Sequence, residues 1–249
     1  MGTLTLLAVG AVHLLTAASF VAVGERLRRR DVSPTLRGAN IAFVLWWWAM
    51  AAYLATEGAF AIAGSTGWTS LPAYLAARYA SGPLLSFAAA CLAYHILFVY
   101  FGTRHLLLPL AMYYEAAAIG YAYSVHVHGP IAVRATDWGL VLDYADPVQG
   151  PLWTAVLASI GLPLVVGGVA YVSLAPRVDR AQRYRVLLVG LSLLIWVVGG
   201  FAGQVAGSAL TKFLTIVGLG LLTSGTVLLA YFPPKWVARW LAAAPSPSG

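Results

Sequence analysis

The amino-acid sequence predicts an all-α membrane protein, a bundle of seven transmembrane helices with its N-terminus outside and its C-terminus in the cytoplasm. Three observations predict it. First, 61% of the 249 residues are hydrophobic and only 9% are charged, against about 25% charged in a soluble domain. One core cannot hide so large an apolar excess, so the natural solvent is lipid. Second, seven apolar stretches, at about 3–24, 38–64, 72–101, 105–127, 152–175, 186–206 and 208–232, match the roughly 20 residues that a helix needs to cross a ~30 Å hydrocarbon core. Third, the basic residues are unequally shared between the two sides. Arg26, Arg28, Arg29, Arg30, Arg37, Arg104, Arg177, Arg180, Arg183, Arg185, Lys235 and Arg239 fall on one side, and Arg78, Arg134 and Lys212 on the other. Twelve against three assigns the first set to the cytoplasm, and an odd number of spans then puts the N-terminus outside.

The elements follow in order. The first span has no basic segment before it and runs past Val23 to a stop at Arg26, the pattern of a retained helix rather than a cleaved signal. In the second, Trp46, Met50, Tyr53 and Glu57 share one face by their three- and four-residue spacing. Pro83, Pro109 and Pro163 mark kinks or starts of the third, fourth and fifth spans. Between the fourth and fifth lies the one long connection, about 128–151. Its β-prone runs Ile131–Ala135 and Leu140–Tyr144 flank Thr136-Asp137-Trp138-Gly139, which predicts a small extracellular β-hairpin over the helix ends, with an irregular loop as the alternative. Asp137, Asp143 and Asp146 would make that mouth acidic.

On the sixth span Gly199, Gly203 and Gly207 recur every four residues, a seam for close helix packing. Gly218 and Gly225 with Thr215 suggest the same on the seventh. Pro233 and Pro234 end that span. Residues 233–243, with Lys235, Trp236, Arg239 and Trp240, read as an amphipathic helix in the membrane interface, and 244–249 as a disordered tail. Domains thus divide into a 1–232 transmembrane unit and this short C-terminal extension. The lone Cys91 permits no intrachain disulfide.

Polar groups inside spans are the candidates for function, because placing a charge at a helix centre costs about 2.5–3.5 kcal/mol. Glu115 lies near the middle of the fourth helix beside Tyr113 and Tyr114, and is either a proton-carrying or ligand-binding carboxyl or an acid satisfied by a neighbour. Glu57, Arg78 and Lys212 share an outer depth. They form either an ion pair with one cation left over or a small charged site under the hairpin. With Tyr53 and Trp47 they outline a site for an apolar or amphipathic small ligand. His13 lies at a depth comparable to Glu115, and His95 follows Cys91 by one turn. His126 and His128 are too few for a metal site, and His13 and His95 are no matched pair for haem. The sequence requires no cofactor.

There is no Gly-rich phosphate loop, zinc-protease motif or nucleophile elbow, so no enzymatic activity is expected. The net charge of +7 is explained by loop residues facing the cytoplasm, without nucleic acid. The expected partners are the lipid bilayer, a small ligand, and a cytoplasmic or membrane protein. The expectation is a sensor or ligand-binding protein of the cell membrane. The alternatives are an ion- or proton-coupled carrier using Glu115 with His13 or His95, and an accessory subunit of a larger membrane complex.

Ala77-Arg78-Tyr79-Ala80, ahead of Pro83-Leu84-Leu85, resembles the third-helix segment of microbial rhodopsins, and the topology resembles seven-helix sensor modules of bacteria. The rhodopsin resemblance implies a retinal lysine inside the seventh helix and a counter-ion after Ala80. Ser81 and Gly82 stand in place of that acid and its tryptophan, and Lys212 sits at the outer end of its span, which leaves retinal without its attachment point.

Overall fold

The computed structural model describes residues 2–102, 105–127, 130–136, 139–144, 150–205 and 209–243. Seven long helices are described: α1 Gly2–Arg28, α2 Arg37–Ser65, α3 Leu71–Phe101, α4 Leu107–Val127, α5 Gly150–Leu174, α6 Arg180–Val205 and α7 Ala209–Tyr231. A short helix, α8 Lys235–Ala242, follows the double proline. The described residues are 84% helical, so backbone groups are satisfied within segments, as a hydrocarbon solvent demands. Thr3–Arg28, Arg37–Ser65, Leu71–Phe101, Arg180–Gly199 and Phe213–Tyr231 are each long and apolar enough to cross a membrane.

The helix ends obey local chemistry. Proline at the start of α3 fits the first turn, where its missing N–H costs nothing. Gly102 ends α3 in the left-handed conformation, with its N–H donating to the Phe98 carbonyl. Pro83 and Pro163 lie inside α3 and α5. α6 begins six residues before the predicted apolar run, at Arg180, because polar residues continue a helix into the interface.

Sequential helices pack as neighbours, α1 on α2 and so on to α7, and α7 closes the ring on α1. α3 also meets α5, so α4 lies at the edge of the bundle against those two helices. Close crossings use glycine. A Cβ on Gly10 of α1 would come within 2.9 Å of the Gly58 carbonyl of α2, and one on Gly190 of α6 within 2.9 Å of the Gly168 carbonyl of α5. The glycine seams expected on α6 and α7 are only partly used. Gly199 packs on Leu219, whereas Gly218 and Gly225 face open space, so their role in helix contact is corrected. Gly203 and Gly207 are not among the described side chains.

The core is aromatic. Phe20 of α1, Phe43, Trp46 and Trp47 of α2, Tyr171 of α5 and Tyr231 of α7 form one cluster of touching rings. Trp46 and Met50 are buried members of it. Half of the expected aromatic stripe on α2 is therefore core packing.

Strands β1 Pro130–Thr136 and β2 Gly139–Tyr144 pair antiparallel, with Ala135 opposite Leu140 and Ala132 opposite Asp143. Arg134 and Asp143 form an exposed ion pair across them at 3.1 Å. That carboxylate raises the Arg134 guanidinium further above its ordinary range. Asp143 is thus neutralised, while Asp137, Asp146 and the tail 244–249 lie outside the described residues. The sheet docks through Leu140, which fills the space left by Gly64 of α2: a Cβ there would come within 2.8 Å of the leucine side chain.

Basic ends of the helices gather at one end of the bundle. The Arg26 guanidinium lies over the Phe232 ring beyond α7. Arg180 at the start of α6 lies 3.4 Å from the Trp240 ring centroid of α8. Val237 of α8 is buried while Trp236 is exposed, so α8 is attached along one face.

Candidate functional site

The end of the bundle under the strand pair holds Glu57 and Arg78. Glu57 belongs to the last third of α2, and Arg78 lies two turns into α3. The two helices are joined by only five residues, 66–70, and run side by side, which sets these side chains opposite each other. Arg78 Nη1 donates to Glu57 Oε1 at 2.6 Å and Nη2 to Oε2 at 3.1 Å. This bidentate fork is the strong form of a carboxylate–guanidinium pair. Both side chains retain about a fifth of their exposure, 21% and 22%, so the pair is accessible from one side.

Arg78 is also tied to the strands. Its Nη2 donates to the Tyr74 hydroxyl one turn earlier, and its guanidinium stacks on the same ring, 4.8 Å from the centroid. The Tyr74 hydroxyl in turn donates to the Leu140 carbonyl of β2 at 2.6 Å. Tyr74 is only 2% exposed. An unbroken polar chain therefore runs from α2 through α3 to β2: Glu57, Arg78, Tyr74, Leu140. The sheet is held by a buried hydroxyl rather than by apolar contact alone.

An apolar pocket adjoins this chain. Ala59, Phe60, Ala63, Thr66 and Trp68 line an open hollow of about 390 Å³. Phe60 lies between the two features, with its ring stacked on Trp68 at 5.9 Å and edge-on to Tyr74 at 5.0 Å. Tyr74, Phe60, Trp68 and Leu140 were not singled out from the sequence. Tyr74 was legible in principle, because an aromatic residue four positions before an arginine on a helix faces it. Leu140 was not, because only the docking of β2 brings its carbonyl there.

The other candidates are dispersed. Tyr53 is half-buried against the aromatic core. Trp47 is fully buried, its indole edge-on to Phe20 at 4.8 Å and to Tyr231 at 6.2 Å, so it is packed core and lines no outer site. Lys212 lies three residues into α7 along the backbone, and its side chain is not among those described.

Glu115 departs most from expectation. It is exposed on the outer face of α4, while the adjacent Tyr114 turns inward and is buried, with its ring edge-on to Tyr113. His13 faces α2, its Cβ beside Gly58 and its Nδ1 at 2.8 Å from the Val9 carbonyl. Glu115 and His13 are not brought together, because α1 packs between α2 and α7, and α4 on α3 and α5. Their comparable depth allowed a pair only if α1 and α4 were neighbours, and helix order, which depth along the sequence cannot reveal, keeps them apart.

His95 is enclosed on both sides. Its Nδ1 lies 2.8 Å from the Ala39 carbonyl of α2, its Nε2 lies 2.7 Å from the Tyr171 hydroxyl of α5, and its ring stacks on Phe43 at 4.3 Å. A carbonyl only accepts, so Nδ1 carries the proton and Tyr171 donates to Nε2. Both nitrogens are thereby used, and His95 ties three helices together. His126 is exposed in the last turn of α4, and His128 lies outside the described residues. Among the described residues no three of His, Cys, Asp or Glu come together as metal ligands would.

The chain was compared with family models, with curated proteins and with solved structures, and it matches none of them.

Proposed function

We propose that this is a seven-span protein of the cell membrane that senses or binds a small apolar or amphipathic ligand at the outer end of α2 and α3. One observation carries the reading: a half-buried carboxylate–guanidinium pair stands beside an open apolar pocket, and the shared wall residue Phe60 touches the tyrosine that holds the strands. Such a place offers an apolar body its pocket and a polar head its charges. A ligand pressing on Phe60 would displace Tyr74 and so loosen or tighten β2. The strand pair then serves as an extracellular lid, and the bundle conveys its position to the basic cytoplasmic end.

The topology proposed is N-terminus out and C-terminus in, with α4 and α5 completing the seven spans. The twelve-to-three distribution of Lys and Arg supports it, as do the contacts of Arg26 and Arg180 with the C-terminal aromatics at one end. α8 would lie in the cytoplasmic interface, with Trp236 in the headgroup layer.

Photolabelling tests the ligand site. The purified chain in lipid nanodiscs would be irradiated with diazirine-bearing fatty acids, fatty amines and sterols, and the adducts mapped. At least one class should label 59–68 in preference to the lipid-facing residues of α1, and Phe60→Ala should abolish that preference. Labelling spread evenly over all exposed apolar residues would sink the proposal.

A further inference from the structure

At the end of the bundle opposite the strand pair, several of the basic side chains are already occupied. Glu25 accepts from Arg28 and Arg29, each at 2.7 Å. Arg183 donates to the Ala175 carbonyl at 2.9 Å, while Arg26 and Arg180 lie over the rings of Phe232 and Trp240. Arg30 and Arg185 have no such acceptor among the described residues, and both bear on one side chain, Tyr231. Arg185, near the start of α6, is half-buried, and its Nε is shielded from solvent with no hydrogen-bond partner. Its guanidinium lies 5.9 Å from the centroid of the Tyr231 ring at the end of α7. Arg30 follows α1, where its backbone N–H closes a turn on the carbonyl of the buried Leu27 at 3.1 Å. The charges of Arg185 and Arg30 both act on the Tyr231 hydroxyl. That hydroxyl makes no hydrogen bond among the described residues, although the tyrosine is only 6% exposed. The three residues are brought together because α7 packs on both α1 and α6, and the Tyr184 hydroxyl ties α6 to the Leu229 carbonyl of α7 at 3.2 Å. Among the described residues no acid balances the two cations. Glu25 is engaged, Asp179 accepts from the Gln182 N–H at 2.8 Å, and Asp31 is exposed and enters no ion pair.

We propose that Arg30, Arg185 and Tyr231 bind a phosphate group where α1, α6 and α7 meet. Two guanidiniums brought to one hydroxyl repel each other, and an anion between them turns that repulsion into attraction. Guanidinium N–H groups match phosphate oxygens in geometry as well as charge, and the phenol supplies a further donor. A carboxylate has two oxygens and would satisfy one guanidinium bidentately, whereas a phosphate has oxygens for both arginines and the hydroxyl. Depth agrees with this chemistry. Tyr231 is the last residue of the apolar stretch Phe213–Tyr231, so the site stands where the hydrocarbon of a bilayer gives way to its headgroups. It lies at the other end of the bundle from Glu57 and the apolar pocket, and it does not rest on the ligand reading given for them.

Thermal unfolding of the full chain in phosphatidylcholine nanodiscs reads the binding, since a ligand of the native state raises the melting temperature. One arm replaces part of the lipid by phosphatidylglycerol. The other adds inorganic phosphate, with chloride at equal ionic strength as the reference. Stabilisation by phosphatidylglycerol is expected and makes a lipid headgroup the source of the phosphate. Stabilisation by inorganic phosphate alone supports the same site and makes the source a soluble ligand. The affinity drawn from the concentration dependence should fall about tenfold in Arg185→Gln, the value of one charge-assisted hydrogen bond. Tyr231→Phe, which keeps the ring against Trp47, should weaken binding by a smaller factor. Arg239→Gln, which removes an exposed cation of α8, should leave it unchanged. Far-UV circular dichroism checks that each variant folds, and Arg30→Gln, at an exposed position, gives the same reading should Arg185→Gln not fold. The proposal is overturned if neither phosphatidylglycerol nor inorganic phosphate stabilises wild type. It is equally overturned if the Arg30 and Arg185 variants bind as wild type does, or if Arg239→Gln weakens binding as much as they do.

Discussion

Replacing Tyr74 by Phe tests the polar chain under the strands with a single atom. The change removes the hydroxyl that accepts from Arg78 and donates to the Leu140 carbonyl. The ring stays, so its edge contact with Phe60 and the guanidinium stacking remain, and no cavity larger than one oxygen is made. A neutral hydrogen bond is worth about 0.5–1.5 kcal/mol and one to a charged group about 1.5–3 kcal/mol. Arg78 keeps its two bonds to Glu57, which favours the lower end of the second range. The expected loss is thus about 2–3 kcal/mol, concentrated where β2 meets α3. Hydrogen exchange on the protein in nanodiscs would read it locally. Amides of 131–136 and 139–144 should exchange at least ten times faster, while those of the α1–α2 crossing stay unchanged. If the strand amides keep their wild-type protection, Tyr74 does not hold the sheet, and the coupling between pocket and lid falls with it.

Arg78→Met leaves the half-buried Glu57 without its partner and should destabilise the bundle by about 1–3 kcal/mol, between the values for surface and buried pairs. Thermal unfolding in detergent checks this, and a loss below about 0.5 kcal/mol would place the pair among the inconsequential surface bridges. Gly10→Ala must displace Ile62 and the Gly58 backbone and is expected to cost about 1–3 kcal/mol. Gly218→Ala, facing open space, should be neutral or stabilising by a few tenths of a kcal/mol. Equal melting temperatures for the two alanine variants would refute the proposed α1–α2 crossing. His95→Phe retains the stack on Phe43 but loses the bonds to Ala39 and Tyr171, for an expected loss of about 1–3 kcal/mol. In a double-mutant cycle Tyr171→Phe should then add little, and full additivity would show that the two do not interact.

The sequence by itself determined that this is a bundle of apolar helices, and roughly where each helix runs. Span length and the scarcity of charge act locally on each segment, and no tertiary partner can override them in lipid. The shared depth of Glu57 and Arg78 follows from the same locality: distance along an apolar helix is distance along the bundle. What depth cannot supply is the direction in which a side chain points, since that depends on which helices are neighbours. Glu115 was read as a candidate inner group from its depth, yet the packing of α4 on α3 and α5 turns it outward. His13 shares its depth but lies on the far side of α1, against α2. Trp47 was assigned to a ligand site, and the convergence of α1, α2 and α7 makes it core instead. The bond from Tyr74 to Leu140 spans 66 residues and exists only because β2 folds back over the helix ends. Helical periodicity is a property of one segment, whereas a site is a property of several, and only their packing decided which polar groups meet.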